Sequence, residues 1–98
     1  MTSIRENLTS VRNAITDAAT DAGRDPGTIT LIAVSKTKPA EDVLTALAAG
    51  QQHFGENYVQ EAVAKIAAVG DGVAGRRPIW HYIGAIQSAF FLAACLRW

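Results

Sequence analysis

The sequence has little with which to attract a charged partner. Nine Lys and Arg balance nine Asp and Glu, and charged residues make up 18% of the chain, below the roughly 25% of ordinary soluble domains. The nearest approach to a basic cluster is Arg76 with Arg77, so the electrostatic footprint of a nucleic-acid or anionic-lipid binder is missing. Cysteine is almost absent. Cys95 alone cannot form an internal disulfide, and Met1-Thr2-Ser3-Ile4-Arg5-Glu6 lacks the apolar core of a secretory signal, so a reducing cytoplasm is the expected location. Long apolar runs are missing too. The longest, Ala89 to Leu96, falls far short of the roughly 18 residues that a membrane-spanning helix requires. There is no low-complexity linker, and 98 residues allow one domain or a piece of a larger one.

What remains is apolar and periodic. Ile4, Leu8, Val11, Ile15, Ala18 and Ala22 recur at steps of three and four and lie on one helical stripe. Ser3 and Glu6 form a capping box, while Gly23 and Pro26 mark the stop, so a helix is expected over about Ser3 to Ala22. Thr28 to Ser35 is β-branched and nearly continuously apolar at its end, the pattern of a strand covered on both faces. A second helix is expected from Pro39 to Ala49, with Glu41 and Asp42 complementing its N-terminal dipole. A short strand follows around Gln52 to Gly55, then a helix from Asn57 to Ala68 with Val59, Val63 and Ile66 inward. After a loop from Gly70 to Arg77, a third strand covers Pro78 to Gly84. This α, β, α, β, α, β order argues for a parallel sheet with helices outside. Three strands leave open edges, and the chain reads as incomplete.

Few motifs carry chemistry. Gly70-Asp71-Gly72-Val73-Ala74-Gly75 spells GxGxxG, yet it follows a helix and precedes a strand, the reverse of a dinucleotide fingerprint, and reads as a loop. There is no P-loop, GxSxG or CxxC. His53 and His81 fall on different strands without a third ligand, which favours packed or surface histidines over a metal site. Glu56 and Glu61 read as solvated charges near a helix terminus. Lys36 stands apart, because it ends an apolar strand at the rim where parallel sheets place their ligands. An amine partly withdrawn from water there is favoured as the neutral nucleophile that attacks an aldehyde. Chemistry alone leaves open the plainer alternative of a rim lysine sitting in water. Lys38 is expected to be the more exposed of the two.

Three segments carry a resemblance. Leu31 to Pro39 (LIAVSKTKP), Phe54 to Glu61 (FGENYVQE), and Trp80 to Gly84 (WHYIG) with Gln87-Ser88 resemble, in order and spacing, the signature segments of the pyridoxal phosphate homeostasis proteins, the YggS and PROSC family. The resemblance implies an α/β fold, the N-terminal part of a fold type III (β/α)8 TIM barrel like that of alanine racemase, with three parallel strands and helices. It implies pyridoxal 5'-phosphate as cofactor, Lys36 as the Schiff-base lysine, and Asn57 and His81 as residues near the cofactor. It also implies a carrier and regulator of vitamin B6 supply without established turnover. Residues 1–88 are then the N-terminal portion of the barrel.

Residues 89–98 depart from the pattern as an apolar tail, which suggests a truncated or frameshifted reading frame; the family's phosphate-binding segment would lie beyond it. A short helix covering the open face is one form the tail could take. Self-association through open sheet edges and the tail is expected, with no nucleic-acid or membrane partner. Two other functions remain open at this point: a fragment of a cofactor-dependent amino-acid racemase or decarboxylase, and a structural fragment whose lysine does nothing.

Overall fold

The computed structural model of the chain describes residues 3–84 and 93–94. Helix α1 (Ile4–Asp21) opens on Ser3, whose hydroxyl accepts from the Glu6 N–H at 3.1 Å. This satisfies one of the free donors of the first turn, as the Ser3/Glu6 spacing predicts. Beyond the helix, Asp25 accepts from the Gly27 N–H at 2.9 Å and folds Pro26–Thr28 into a single 3₁₀ turn. Strand β1 is therefore Ile32–Val34, shorter at its start than the expected Thr28 to Ser35, because the aspartate offers the backbone a local alternative to the sheet. Helix α2 (Ala40–Ala48), strand β2 (His53–Glu56), helix α3 (Val59–Val69) and strand β3 (Ile79–Tyr82) follow close to their expected positions.

All strand pairs are parallel and the sheet order is β3-β2-β1-β4, with β4 the pair Ala93–Ala94. Each strand from β1 to β3 adds beside its predecessor after one helix, which is the repeat that builds (β/α)8 barrels. Ala33 stands opposite Phe54, and Phe54 opposite Trp80, on the face that receives the helices. The Phe54 and Trp80 rings lie 5.6 Å apart, and Leu8, Val43 and Leu47 close over this row. β1 is buried at all three of its residues, as a strand covered on both faces should be.

Two expectations about the edges and the third helix are corrected. The β1 edge expected to be open pairs with β4, Ile32 opposite Ala93 and Ala33 opposite Ala94, so those two residues are strand rather than helix. An unpaired row of N–H and C=O groups is a template that extended chain can satisfy. The rest of the tail, including Phe90, Phe91, Leu92, Cys95, Leu96 and Trp98, lies outside the described residues, as do Gln87 and Ser88. On α3, Val59, Val63 and Ile66 point outward, at 61%, 64% and 40% exposure, while Lys65 and Val69 are buried. The helix is rolled so that the Lys65 ammonium reaches acceptors at the ends of β1 and β2, and burying that charge unpaired would cost more than exposing three aliphatic side chains.

The glycine-rich segment is a loop after α3 and before β3, closed by a tight turn in which Val73 and Arg76 exchange backbone hydrogen bonds of 3.2 and 2.9 Å. Gly72 has φ +94°, and a Cβ there would lie 1.9 Å from the Arg76 carbonyl oxygen, so no larger residue fits without moving the turn. Arg76, half of the only basic pair, caps α2 instead of facing a polyanion. Its Nη1 donates to the Ala48 carbonyl at 2.8 Å, and Arg12 donates to Ala49 O at 3.3 Å. Two cations thus meet the negative end of the helix dipole, and burial followed by the proximity of Arg76 holds the Arg12 pKa below its ordinary value.

These placements separate interior from surface on one fold. Leu47→Ala, at a fully buried position, is expected to cost about 2–5 kcal/mol. Val63→Ala is expected to stay within about 0.5 kcal/mol of the parent. Urea denaturation midpoints measure both, and a comparable loss at Val63 would contradict the outward face of α3.

Candidate functional site

The C-terminal ends of the strands collect the chemistry. Val34, Gly55 and His81 stand side by side across β1, β2 and β3, on the face opposite Phe54 and Trp80. Gly55 keeps this row flat, because a Cβ there would meet Ile83 Cδ1 at 3.0 Å and Ile32 Cγ2 at 3.2 Å. Lys36 and Asn57 lie two residues beyond Val34 and Gly55, just past the ends of β1 and β2. The structure thus brings Lys36, Asn57 and His81 to one end of neighbouring strands.

Lys36 is half-buried, and among the described residues no hydrogen bond or ion pair engages its ammonium. Lys38 is half-buried as well, where the chain turns back at Ser35 and the Lys38 N–H donates to Ser35 O at 3.1 Å. Asn57 Oδ1 is buried and has no hydrogen-bond partner among the described residues. An orphaned buried carbonyl costs about 1–3 kcal/mol, so a donor is wanted at this point. His81 Nε2 lies 2.9 Å from His53 Nδ1, with ring centroids 5.2 Å apart. Burial first, and the neighbouring His53 second, hold the His81 pKa below its ordinary value. Among the described residues no three His, Cys, Asp or Glu gather as a metal site.

Behind the rim, on the helix side, is a buried ionic cluster that the sequence reading misplaced. Glu56 is 3% exposed and Lys65 5%, and their charged atoms are 2.9 Å apart. Lys65 Nζ also donates to Ser35 O and, at 2.9 Å, to Glu61 Oε1. The Ser35 hydroxyl donates to Glu56 Oε2, and Glu61 Oε1 accepts from the Thr37 N–H. Glu56 and Glu61 are therefore not the solvated charges expected of them. Hydrogen bonding to Lys65, opposed by burial and aided by the Thr37 N–H, holds the Glu61 pKa below its usual value. One sequence signal for Lys65 existed, its i,i+4 spacing after Glu61, the favourable orientation of an acid preceding a base.

Two cavities lie against the sheet among the described residues. One of about 430 Å³ lies at the opposite end of the strands, bordered by Arg12, Thr30, Gln51 and His53. Another, of about 180 Å³, lies between α3 and β3 beside Glu56, Ala62, Trp80 and the candidate residue His81. Neither is lined by Lys36 or Asn57.

Parallel βα units, each strand following one helix and laid beside the one before, define a segment of an α/β barrel, with Lys36 and the Asn57 carbonyl at the strand ends unpaired among the described residues. The chain is 54% identical to the pyridoxal phosphate homeostasis protein of Escherichia coli K12 over 89 residues, 90% of this chain and 37% of that protein. It is 53% identical to the protein of the same name from Pseudomonas aeruginosa, again over 89 residues, 90% of this chain and 36% of that one. Among solved structures, PipY of Synechococcus elongatus determined with pyridoxal phosphate bound aligns at 41% identity and a TM-score of 0.64, over 87% of this chain and 34% of that one. An unknown protein from Bifidobacterium adolescentis aligns at 30% identity and TM-score 0.72, over 86% of this chain and 37% of that one. No protein-family model matches. Over the residues it shares with them, the chain is homologous to the pyridoxal phosphate homeostasis proteins, and it spans about 37% of the length of the curated relatives it matches.

Two outcomes follow from the geometry. Lys65→Met strands the buried Glu56 carboxylate and is expected to cost about 3–5 kcal/mol, whereas Glu61→Gln, at a residue 31% exposed, is expected to cost no more than about 1 kcal/mol. Equal denaturation midpoints for the two variants would contradict the cluster's role. Stability is also expected to fall with pH near neutrality: unfolded His81 takes up its proton around its ordinary pKa of 6.5, the folded residue resists protonation, and the difference grows as pH drops from 6.5 to the lowered folded value. His81→Asn is expected to flatten that slope in urea midpoints taken from pH 8 to 5.

Proposed function

We propose that this chain binds pyridoxal 5'-phosphate through Lys36 and serves intracellular cofactor homeostasis as a carrier or regulator without turnover. The observation that carries the reading is the Lys36 amine, half-buried just past β1, together with a buried Asn57 carbonyl just past the neighbouring β2, both without a hydrogen-bond partner among the described residues. Both fit the group, since an aldehyde needs a free amine and a ring hydroxyl or protonated nitrogen can supply the missing donor. When bound, the cofactor supplies an electrophilic carbonyl. Lys36 Nζ would be the amine that holds the group at that carbon, Asn57 would hold the ring through its amide, and His81, whose pKa is lowered chiefly by burial, would border the site. The names of the curated relatives and the cofactor-bound PipY support this reading.

We read residues 1–88 as the N-terminal portion of the family's barrel and 89–98 as an extension unlike it, and we place the chain in the cytoplasm; among the described residues no helix is long and apolar enough to cross a membrane. The outer edge of β3 has no strand neighbour among the described residues, which favours pairing with a second copy.

Incubation with pyridoxal 5'-phosphate, borohydride reduction and peptide mapping test the assignment. Label is expected on Lys36 in preference to Lys38 and Lys65, and Lys36→Ala is expected to abolish it while leaving the helical circular dichroism unchanged. Even labelling of all three lysines would overturn the reading, and racemisation of alanine by the loaded chain would favour a catalytic one. Sedimentation is expected to show mass rising with concentration; a monomer throughout would overturn edge pairing.

A further inference from the structure

We propose that Glu61 and Lys65, one helical turn apart on α3, are positioning residues that set the turn presenting Lys36. The proposal rests on the reading of Lys36 as the cofactor lysine.

Lys36 and Thr37 are the two central residues of a turn closed by the bond from Lys38 N–H to Ser35 O. Thr37 has φ +65°, a left-handed conformation that β-branched residues avoid. Such strain persists only where the surroundings over-determine it. Here α3 grips both flanks of the turn. Glu61 Oε1 accepts from the Thr37 N–H, Lys65 Nζ donates to Ser35 O, and the 2.9 Å bond between Lys65 and Glu61 joins the two grips. Lys65 is in turn held by Glu56 on β2, so the turn is referenced to the sheet through side chains as well as through its own strand. Both residues act on Lys36 through its backbone. With the turn set, the reach of Nζ depends on its own side chain alone. With the turn relaxed, Thr37 returns to extended backbone, and Lys36 and Lys38 compete for the same ligand.

Glu61→Ala and Glu61→Gln in the full chain test this with two readouts. The first is hydrogen exchange of the Thr37 amide, which needs no cofactor; the second is the ratio of label on Lys36 to label on Lys38 after reduction with pyridoxal 5'-phosphate. In Glu61→Ala the Thr37 amide is expected to exchange at least about tenfold faster, as loss of a hydrogen bond to a charged acceptor would allow, and the labelling ratio is expected to fall severalfold. Glu61→Gln keeps a carbonyl acceptor for the Thr37 N–H and is expected to restore both towards the parent values, which a merely destabilised fold would not do. Unchanged Thr37 exchange in Glu61→Ala, an unchanged labelling ratio despite faster exchange, or a Gln variant as impaired as Ala would each overturn the proposal. A parent chain that takes no label at Lys36 overturns the cofactor reading, and Thr37 exchange then decides by itself whether Glu61 holds the turn.

Discussion

The Lys65 ammonium is the group around which the functional end of the molecule is arranged. A charge 5% exposed has lost most of its hydration, which costs several kcal/mol unless acceptors replace the water. Glu56 from β2, Glu61 from α3 itself and the Ser35 carbonyl just past β1 replace it. Because these acceptors belong to three different elements, satisfying one cation fixes how all three meet. Apolar packing is less directional: Phe54 would bury as much surface with α3 rotated by part of a turn. The ion cluster removes that freedom, and the outward Val59 and Val63 follow from it.

The sheet then divides two kinds of environment. On the helix side, Ala33, Phe54 and Trp80 run into the apolar core, and only at the strand ends does the polar cluster interrupt it. On the other side, Gly55 leaves room for Ile32 and Ile83 to approach, and the row continues to His81, His53 and the turn at Lys36. The strand alternation assigns side chains to these two environments, since a step of one residue along β2 moves from buried Phe54 to Gly55 on the opposite face. Glu56 and Asn57, adjacent in sequence, each keep one buried oxygen without a partner among the described residues, but Glu56 also completes an ion pair behind the sheet through Oε2.

Much of this was legible in the residues. The 3.6-residue period of α1, its Ser3 cap and the βα alternation gave the architecture, because each is a local signal that tertiary packing did not oppose. The position of Lys36 just past the end of β1 was legible from its place after an apolar strand. The inward face of α3 was misread because an aliphatic stripe is the usual mark of burial, and nothing local announces that a lysine will be taken inside instead. Nor does the sequence near Glu56 show Lys65, which reaches it only after α3 packs on the sheet. The short β1 and the pairing of Ala93–Ala94 with it depend likewise on competing backbone hydrogen bonds, which periodicity does not weigh.

The distribution of charge bears on how the lysines near the rim differ in their partners. An amine bonded to carboxylates is held as an ammonium without a free electron pair, and so is no nucleophile. Glu56 and Glu61 are the carboxylates nearest the end of β1 in the hydrogen-bond network, and Lys65 engages both from the helix side. Glu61 spends its remaining capacity on the Thr37 backbone. Both acids are thus engaged by Lys65, and Glu61 and Lys65 also bond to the backbone of the turn that carries Lys36. The ion cluster thus distinguishes Lys65, buried and bonded to two carboxylates, from Lys36, which is half-buried and stands outside it among the described residues.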